Sequence, residues 1–218
     1  MFDNWALIAG AGPGVSGSFA RRLAREDYNV ALLGSDADAV DALTVQIDEI
    51  GRSAVGAVVD LTDPPAVDRE IARIGAEVGE LALVHFNPST FREADPLTLT
   101  PAQLAEDVSL GVGALLTVVQ AALPFMGQGA RVTVTGSMAA DKPWSGAASL
   151  GVQKAGVRNL VHSLDDVLQP KGMRAVSLTV CGSLASEGPF SPDRVGDALW
   201  AAASRPEESW ESEIRYSG

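Results

Sequence analysis

The chain has 218 residues, 46% of them hydrophobic and 20% charged, which suits one soluble domain with a sizeable core. Its net charge of −12 argues against nucleic acids and anionic membranes as partners, although backbone amides and one lysine can still bind a phosphate group. The single cysteine, Cys181, the lack of an unbroken apolar run of about 18–20 residues, and a start without a basic leader predict a cytoplasmic protein with no disulfide, membrane span or signal peptide.

Apolar, β-branched runs alternate with helical patterns along the chain. Strands are predicted, in chain order, at 5–10, 29–34, 53–61, 81–87, 130–137 and 173–182, with a short final strand at 212–217. Helices are predicted at 15–27, 37–51, 64–79, 100–127, 145–172 and 191–206. Thr100 and Pro101 are typical of a helix start, and Gly51 is typical of a helix end.

Continuous apolar strands joined by helices predict a parallel sheet covered on both faces, because parallel strands require crossover connections. The predicted fold class is therefore α/β, a doubly wound parallel sheet of the Rossmann type in a single domain spanning 1–218. Ligands of such folds bind at the carboxyl ends of the strands. The loops that follow the strands are thus where functional side chains are expected.

The loop after the first predicted strand reads AGAGPGVSG, residues 9–17, and leads directly into a helix. Its glycines allow a tight turn and a close approach of the backbone to a pyrophosphate, and the helix amino end presents free N–H groups to that anion. This placement predicts a dinucleotide site. The alternative is a tight strand-to-helix turn that binds no ligand, because a lone GxGxxG pattern is common.

The end of the second predicted strand bears on the choice between NAD and NADP. An acidic residue there bonds the ribose 2′-hydroxyl, whereas an arginine favours a 2′-phosphate. The chain has Gly34, Ser35 and Asp36 at this point, with no basic residue beside them, which favours NAD. Asp36 has an alternative role as the N-cap of the helix predicted at 37–51.

Several short motifs occur in a set order along the chain. They are AGAGPGVS (9–16), Asp60 in VVDLTD, Asn87 in FNPS, Ser109 in EDVSLGVGAL, Ser137 in VTVTGSM, LGVQK (150–154), and Cys181-Gly182 with the later Ser186. Together they resemble the short-chain dehydrogenase/reductase superfamily. Its corresponding motifs are TGxxxGxG, an aspartate after the third strand, NNAG, an asparagine in the fourth helix, a serine on the fifth strand, YxxxK, and PG followed by a threonine.

The resemblance implies an NAD(P)-binding protein that uses no metal and acts on a small molecule. It implies cofactor contacts by Gly10, Gly12, Pro13, Gly14, Val15, Ser35, Asp60, Leu61, Asn87, Pro88, Lys154, Gly182 and Leu184. It also implies catalytic roles for Ser137, which would hold the substrate oxygen, and for Lys154, which would bind the nicotinamide ribose as well. For Lys154 the alternative is an exposed lysine whose stem covers apolar neighbours on the outer helix face.

Two substitutions separate this chain from the family pattern. Leu150 replaces the tyrosine that donates the proton, and Ser109 replaces the asparagine that supports a water relay. Leucine neither donates nor accepts a proton, so an oxidoreductase acting on a small carbonyl or alcohol would need non-standard proton delivery through Ser137, water and Lys154. The alternatives are a dinucleotide-binding pseudoenzyme, acting as a sensor or partner subunit, and a non-redox lyase or isomerase.

Other polar side chains are predicted to be structural. Asp141 and Lys142 are expected in a solvated turn rather than in catalysis, and His85 is expected to be buried and satisfied. His162 is predicted to be structural, and Cys181 is predicted to be a small buried side chain rather than a reactive thiol.

Two further features bear on access and assembly. The connection at 183–190 is short, which predicts an open or shallow substrate site. The helices predicted at 100–127 and 145–172 carry more apolar surface than one sheet face needs, and in the resembling family these helices form the dimer interface. A homodimer or homotetramer is therefore expected.

Overall fold

Seven strands are joined by seven α-helices in the computed structural model, which describes residues 4–218, with two of the helices between the fourth and fifth strands. The strands are β1 (Trp5–Ala9), β2 (Asn29–Gly34), β3 (Ala54–Val58), β4 (Leu81–Phe86), β5 (Met126–Ser137), β6 (Arg174–Val180) and β7 (Glu213–Tyr216). The helices are α1 (Val15–Arg25), α2 (Ala37–Glu49), α3 (Pro64–Val78), α4 (Pro101–Val108), α5 (Ala114–Ala122), α6 (Ala148–Leu168) and α7 (Pro192–Ala203). All strands pair in parallel in the order β3-β2-β1-β4-β5-β6-β7, so the predicted doubly wound α/β fold is confirmed.

Each face of the sheet carries a hydrophobic core, because successive side chains of a strand point to opposite sides. In β1, Leu7 belongs to the cluster shared with α3, α5 and α6, whereas Ile8 belongs to the cluster shared with α1, α2 and α7. Both side chains are fully buried. Every residue of β2 is buried as well, which explains why this strand reads as a nearly continuous apolar run.

The helix predicted at 100–127 is interrupted. A π-helical turn, Ser109–Gly113, separates α4 from α5, and a 3₁₀ turn at Leu123–Phe125 leads directly into β5 at Met126. The predicted helix is thus present as the helical run Pro101–Phe125, but it contains a π turn that the sequence did not predict, and it ends where β5 begins at Met126. Apolar periodicity does not reveal an extra residue inserted into the helical hydrogen-bond ladder, which is what a π turn contains.

The helix ends agree better with the sequence signals than the strand ends do. Thr100 Oγ1 accepts a hydrogen bond from Gln103 N at 3.2 Å, and Pro101 is the first helical residue, as predicted. Gly51 follows α2 with a φ of 90°, in the left-handed region that favours glycine. The third strand, predicted to reach 61, ends at Val58 because the chain then turns toward α3.

The helical run Pro101–Phe125 is long and apolar enough, by length and composition, to cross a membrane. Among residues 4–218 no other helix meets that test. Leu115, Val118 and Val119 of this run lie in the core on one face of the sheet. The central helix of a globular α/β domain has the same apolar composition, because it covers a buried sheet.

Candidate active site

The glycine-rich loop, the segment after β4, the end of β5, α6 and the segment after β6 enclose a cleft of about 360 Å³. Its lining consists of Gly14, Val15, Asn87, Ser89, Thr135, Gly136, Ser137, Leu150, Lys154, Val180, Gly182 and Leu184. Among these residues Lys154 is the only one with a titratable side chain. The cleft lies at the carboxyl ends of the strands, where the doubly wound fold predicts a ligand.

The glycines of the loop between β1 and α1 differ in what surrounds them. Gly10 has a φ of 84°, and a Cβ there would lie 2.8 Å from Pro88 Cδ, so this position requires glycine. A Cβ at Gly12 or Gly14 would meet no atom within 4 Å. The loop therefore borders open space at the amino end of α1, where no side chain caps the helix.

The end of β2 is shaped by close packing. A Cβ at Gly34 would lie 2.9 Å from the Ala11 carbonyl oxygen, so no side chain fits between β2 and the glycine-rich loop. The Asp36 carboxylate accepts a hydrogen bond from Ala39 N at 3.3 Å, which makes it the N-cap of α2. Ser35 is exposed beside it.

Lys154 is almost completely buried, with 6% of its surface exposed. Its Nζ donates a hydrogen bond to the Thr135 carbonyl at 2.9 Å, and no carboxylate of residues 4–218 forms an ion pair with it. Burial lowers the pKa of Lys154 from 10.5 to about 8, because desolvation penalises the ammonium. The alternative of an exposed lysine on the outer helix face was therefore wrong.

Ser137 and Leu150 lie on the walls beside Lys154. Ser137 Oγ accepts a hydrogen bond from Ala139 N at 3.2 Å. Its hydroxyl hydrogen has no acceptor within the described part of the chain, so it is free to donate to an oxygen in the cleft. Leu150, one helical turn before Lys154, adds only apolar atoms. The cleft thus offers serine and threonine hydroxyls, one amide and one amine, and no phenol.

His85 lies behind the cleft wall and is fully buried. Its Nδ1 is 2.9 Å from Thr133 Oγ1, and its Nε2 is 3.4 Å from Thr135 Oγ1. Burial lowers the pKa of His85 to about 3, so the ring is neutral at physiological pH and adds no positive charge near Lys154. The prediction of a buried, hydrogen-bonded histidine is confirmed.

The other predicted cofactor residues lie outside the lining of this cleft. They are Gly10, Gly12, Pro13, Ser35, Asp60, Leu61 and Pro88. Pro13 lines a neighbouring cleft of about 820 Å³ together with Ser186 and Tyr216. The Asp60 carboxylate accepts hydrogen bonds from Thr62 N at 2.8 Å and Thr62 Oγ1 at 2.7 Å, which hold the pKa of Asp60 below its usual value.

Four lining residues were missed by the sequence analysis. They are Ser89, Thr135, Gly136 and Val180. Each lies within two residues of a position that was predicted, namely Asn87, Ser137 or Gly182. These residues could have been found from the sequence because they lie close to the carboxyl ends of β4, β5 and β6, which face the same cleft.

Asp141 and Lys142 are exposed at a turn, as predicted. The Asp141 carboxylate pairs with Arg158 and, at 2.8 Å, with Arg215, and these hydrogen bonds lower its pKa. The pairing with Arg215 arises because β7 brings this residue next to a loop that is distant in sequence. His162 Nδ1 lies 2.7 Å from Ser212 Oγ, which agrees with a structural role.

Cys181 and Tyr216 also lie near the carboxyl ends of the strands, outside the lining of the cleft. Cys181 is partly exposed rather than buried, because it follows the last residue of β6. The Tyr216 hydroxyl donates to the Pro189 carbonyl at 2.6 Å, so it ties β7 to the short connection after β6. Tyr216 therefore does not supply the missing phenol to the cleft around Lys154.

The donors of the cleft suit a nicotinamide dinucleotide. The open space before Gly12 and Gly14, together with the uncapped amides of α1, matches a pyrophosphate. The Lys154 ammonium has a backbone carbonyl as its partner and no carboxylate, which matches the hydroxyl groups of a ribose. The residues present therefore fit this cofactor.

The family model for short chain dehydrogenase matches residues 4–187. Oxidoreductase asL5 of Sarocladium schorii is 29% identical over 187 residues, which cover 84% of this chain and 72% of that protein. Hydroxynaphthalene reductase arp2 of Aspergillus fumigatus is 28% identical over 179 residues, which cover 81% of this chain and 65% of that protein. A very-long-chain 3-oxoacyl-CoA reductase of Emericella nidulans is 26% identical over 176 residues, covering 78% of this chain but only 51% of the relative.

Two solved structures share the fold over nearly the whole of both chains. A Burkholderia cenocepacia short chain dehydrogenase in complex with NADP has a TM-score of 0.91 at 24% identity, covering 99% of this chain and 97% of that one. A Serratia marcescens short-chain dehydrogenase/reductase has a TM-score of 0.87 at 19% identity, covering 98% and 96%.

A parallel seven-stranded sheet with a glycine-rich loop and a lysine-lined cleft defines a Rossmann-type dinucleotide-binding protein. The family match makes this more specific: the chain belongs to the short-chain dehydrogenase/reductase family of oxidoreductases.

Proposed function

We propose that this protein is an NAD(P)-dependent oxidoreductase that interconverts a small carbonyl compound and its alcohol, and that Lys154 holds the transferable proton. One observation carries the proposal. Lys154 is the only titratable side chain in the lining of the cleft, and a backbone carbonyl is its partner. With Leu150 in place of a tyrosine, no other side chain of that lining can exchange a proton near neutral pH.

The pKa of Lys154 suits a proton donor. A group with a pKa of about 8 is roughly nine-tenths protonated at pH 7, and it loses its proton far more readily than an ordinary lysine. Reduction of a carbonyl needs a hydride, which the nicotinamide supplies when bound, and a proton on the oxygen. Lys154 delivers that proton, directly or through water, and Ser137 donates a hydrogen bond that holds the oxygen.

The cofactor would be held by the glycine-rich loop and by α6. Gly14 and Val15 lie at the amino end of α1 for the pyrophosphate, and Lys154 serves the ribose. We propose a preference for NAD, because Asp36 and Asp38 at the start of α2 would repel a 2′-phosphate. The Burkholderia structure contains NADP, although that protein is only 24% identical to this chain. The affinities for NAD and NADP should therefore be compared directly.

The experiment is a thermal-shift series followed by turnover assays. Melting temperatures with NAD, NADH, NADP and NADPH reveal which form binds, since a ligand of the folded state raises Tm with its affinity. A panel of small aldehydes and ketones then tests for oxidation of the bound reduced form. We expect a shift with NAD(H) and a turnover that Lys154→Met reduces by at least tenfold, while Lys142→Met, at an exposed lysine, leaves turnover unchanged.

The pH profile gives a second readout. Carbonyl reduction needs the protonated amine, so its rate should fall as pH rises through about 8, and alcohol oxidation should show the opposite trend. A shift with none of the four nucleotides would refute the proposal. Binding without turnover on any substrate would favour the pseudoenzyme instead, which has no specific observation in its support here.

We further propose one NAD(P)-binding domain over residues 1–218, a cytoplasmic location and a homo-oligomer. The single sheet supports the first, and the lone cysteine supports a reducing compartment. For assembly, the support is a set of large apolar side chains on the outer faces of α5, α6 and the turn after α5. These are Leu116, Leu123, Val152 and Val167, each at least 37% exposed.

A further inference from the structure

The segment that follows β4 is fastened to α6 by one buried side chain, Gln153. Gln153 Oε1 accepts a hydrogen bond from Thr90 N at 2.9 Å, and Gln153 Nε2 donates to Thr90 O at 3.0 Å. The side chain is completely buried. Both polar atoms of the amide are thus paired with the backbone of a single residue, in a place where an unpaired amide would cost free energy.

The π turn makes room for this side chain. A Cβ at Gly111, within the turn Ser109–Gly113, would lie 2.3 Å from Gln153 Oε1 and 2.7 Å from its Cγ. The glycine and the irregular turn therefore allow the Gln153 amide to reach Thr90. π turns inside α-helices are frequent at functional sites, which fits this arrangement.

The clamp between Gln153 and Thr90 joins two walls of the same cleft. Ser89, directly before Thr90, and Lys154, directly after Gln153, both line the cleft. The near end of the segment is fixed separately, because Asn87 N donates to Ala9 O at 3.1 Å. The Gln153 clamp therefore connects the Ser89 wall of the cleft to the helix that carries Lys154.

A second tether acts farther along the segment. Arg92 bonds the buried carboxylate of Asp107 through three hydrogen bonds of 2.8–3.2 Å. Asp107 is 1% exposed, and its position on α4 anchors the segment to a different helix. Loss of the Gln153 clamp alone should therefore loosen the cleft wall locally without releasing the whole segment.

We propose that Gln153 is a positioning residue that holds the Ser89 wall of the cleft in register with Lys154. This inference rests on the proposed function, in which Lys154 meets both cofactor and substrate. Gln153 itself touches neither, since its amide is fully engaged by Thr90. It acts by setting the width of the cleft and by excluding water from the Lys154 amine.

The test compares two variants with a matched control. Gln153→Met removes both hydrogen bonds at similar volume. Gly111→Ala keeps the Gln153 side chain but adds a methyl group in the π turn that would clash with its amide. Gln169→Met makes the same exchange at an exposed position just past α6.

The first readout does not depend on activity. The rate of Lys154 acylation is followed against pH by mass spectrometry, with the exposed Lys142 and Lys171 as internal references. In Gln153→Met, water enters the cleft and the labelling midpoint of Lys154 shifts upward toward that of the references. Gly111→Ala shifts it in the same direction, and Gln169→Met leaves it unchanged.

The second readout is steady-state kinetics below the melting temperature of each variant. Gln153→Met should lower kcat/KM by about 10²-fold, as expected for a small misplacement of reacting groups. If Gln153→Met has a lower Tm but keeps the wild-type labelling midpoint and kcat/KM, the inference is overturned. If the wild-type protein binds no nucleotide, the proposed function fails, and the labelling midpoint alone still decides the role of Gln153.

Discussion

Removal of the buried Lys154 amine should make the cofactor-free protein more stable at pH 7. The folded state lowers the pKa of this amine from 10.5 to about 8. Each pKa unit corresponds to about 1.4 kcal/mol, so burial of the ammonium costs about 3 kcal/mol at pH 7. Lys154→Met loses the hydrogen bond to Thr135 O, worth about 1 kcal/mol, and the net gain in the free energy of unfolding is about 2 kcal/mol.

The sign of the pH dependence follows from proton counting. Below about pH 8 both folded and unfolded chains hold the proton on Lys154, so the full penalty is present. Between about 8 and 10.5 the unfolded chain binds more protons than the folded one, and the wild-type protein gains stability as pH rises. The advantage of Lys154→Met should therefore shrink by about 2 kcal/mol between pH 7 and pH 9.5.

Urea unfolding of the nucleotide-free protein at pH 7.0 and pH 9.5 measures this difference. The contributions of other titrating groups cancel in the difference between the two free energies of unfolding, because both proteins contain those groups. Lys142→Met, at an exposed site, should change the free energy of unfolding by less than about 0.5 kcal/mol at either pH. A gain from Lys154→Met that is the same at both pH values would refute the argument that a desolvated ammonium occupies the cleft.

Four further changes test other parts of the site. Leu150→Tyr should create or raise carbonyl reduction several-fold by adding a phenol to the cleft; unchanged rates would mean that the cleft no longer has the family geometry. Gly14→Val should abolish the nucleotide-induced shift in Tm, because its side chain would occupy the open space at the amino end of α1. Ser35→Arg should raise the ratio of NADPH to NADH affinity by tenfold or more, measured by fluorescence titration. Val152→Asp should lower the size-exclusion mass to that of a monomer, and a mass unaffected by this charge would argue against α6 as the interface.

Much of the fold could be predicted because local sequence patterns, namely apolar runs and helix-end residues, determine where the strands and helices lie. The apolar runs of β1 and β2 are buried from end to end or nearly so, and they alternate with helices that begin and end at recognisable residues such as Thr100 and Gly51. The glycine-rich loop could be located in the same way, because its position after the first strand fixes where it lies in a doubly wound sheet.

The partners of the site residues could not be predicted, because they come from distant parts of the chain. The contact of Gln153 with Thr90 spans 63 residues, and the pairing of Asp141 with Arg215 depends on the placement of β7. Asp36 had two possible partners in the sequence, and the choice of Ala39 N depends on the exact backbone geometry at the start of α2. Periodicity reports which face of an element is apolar, and it does not report which backbone atoms that face approaches.

The π turn at Ser109–Gly113 also works as an angular spacer between two helices that share an axis. An α-helix rotates by about 100° per residue, so the extra residue of the turn offsets the face of α5 relative to that of α4 by roughly this angle. With this offset Asp107 faces Arg92 while Leu115 and Val118 face the sheet. Deletion of one residue there would rotate α5 by about 100° and turn Leu115 out of the core.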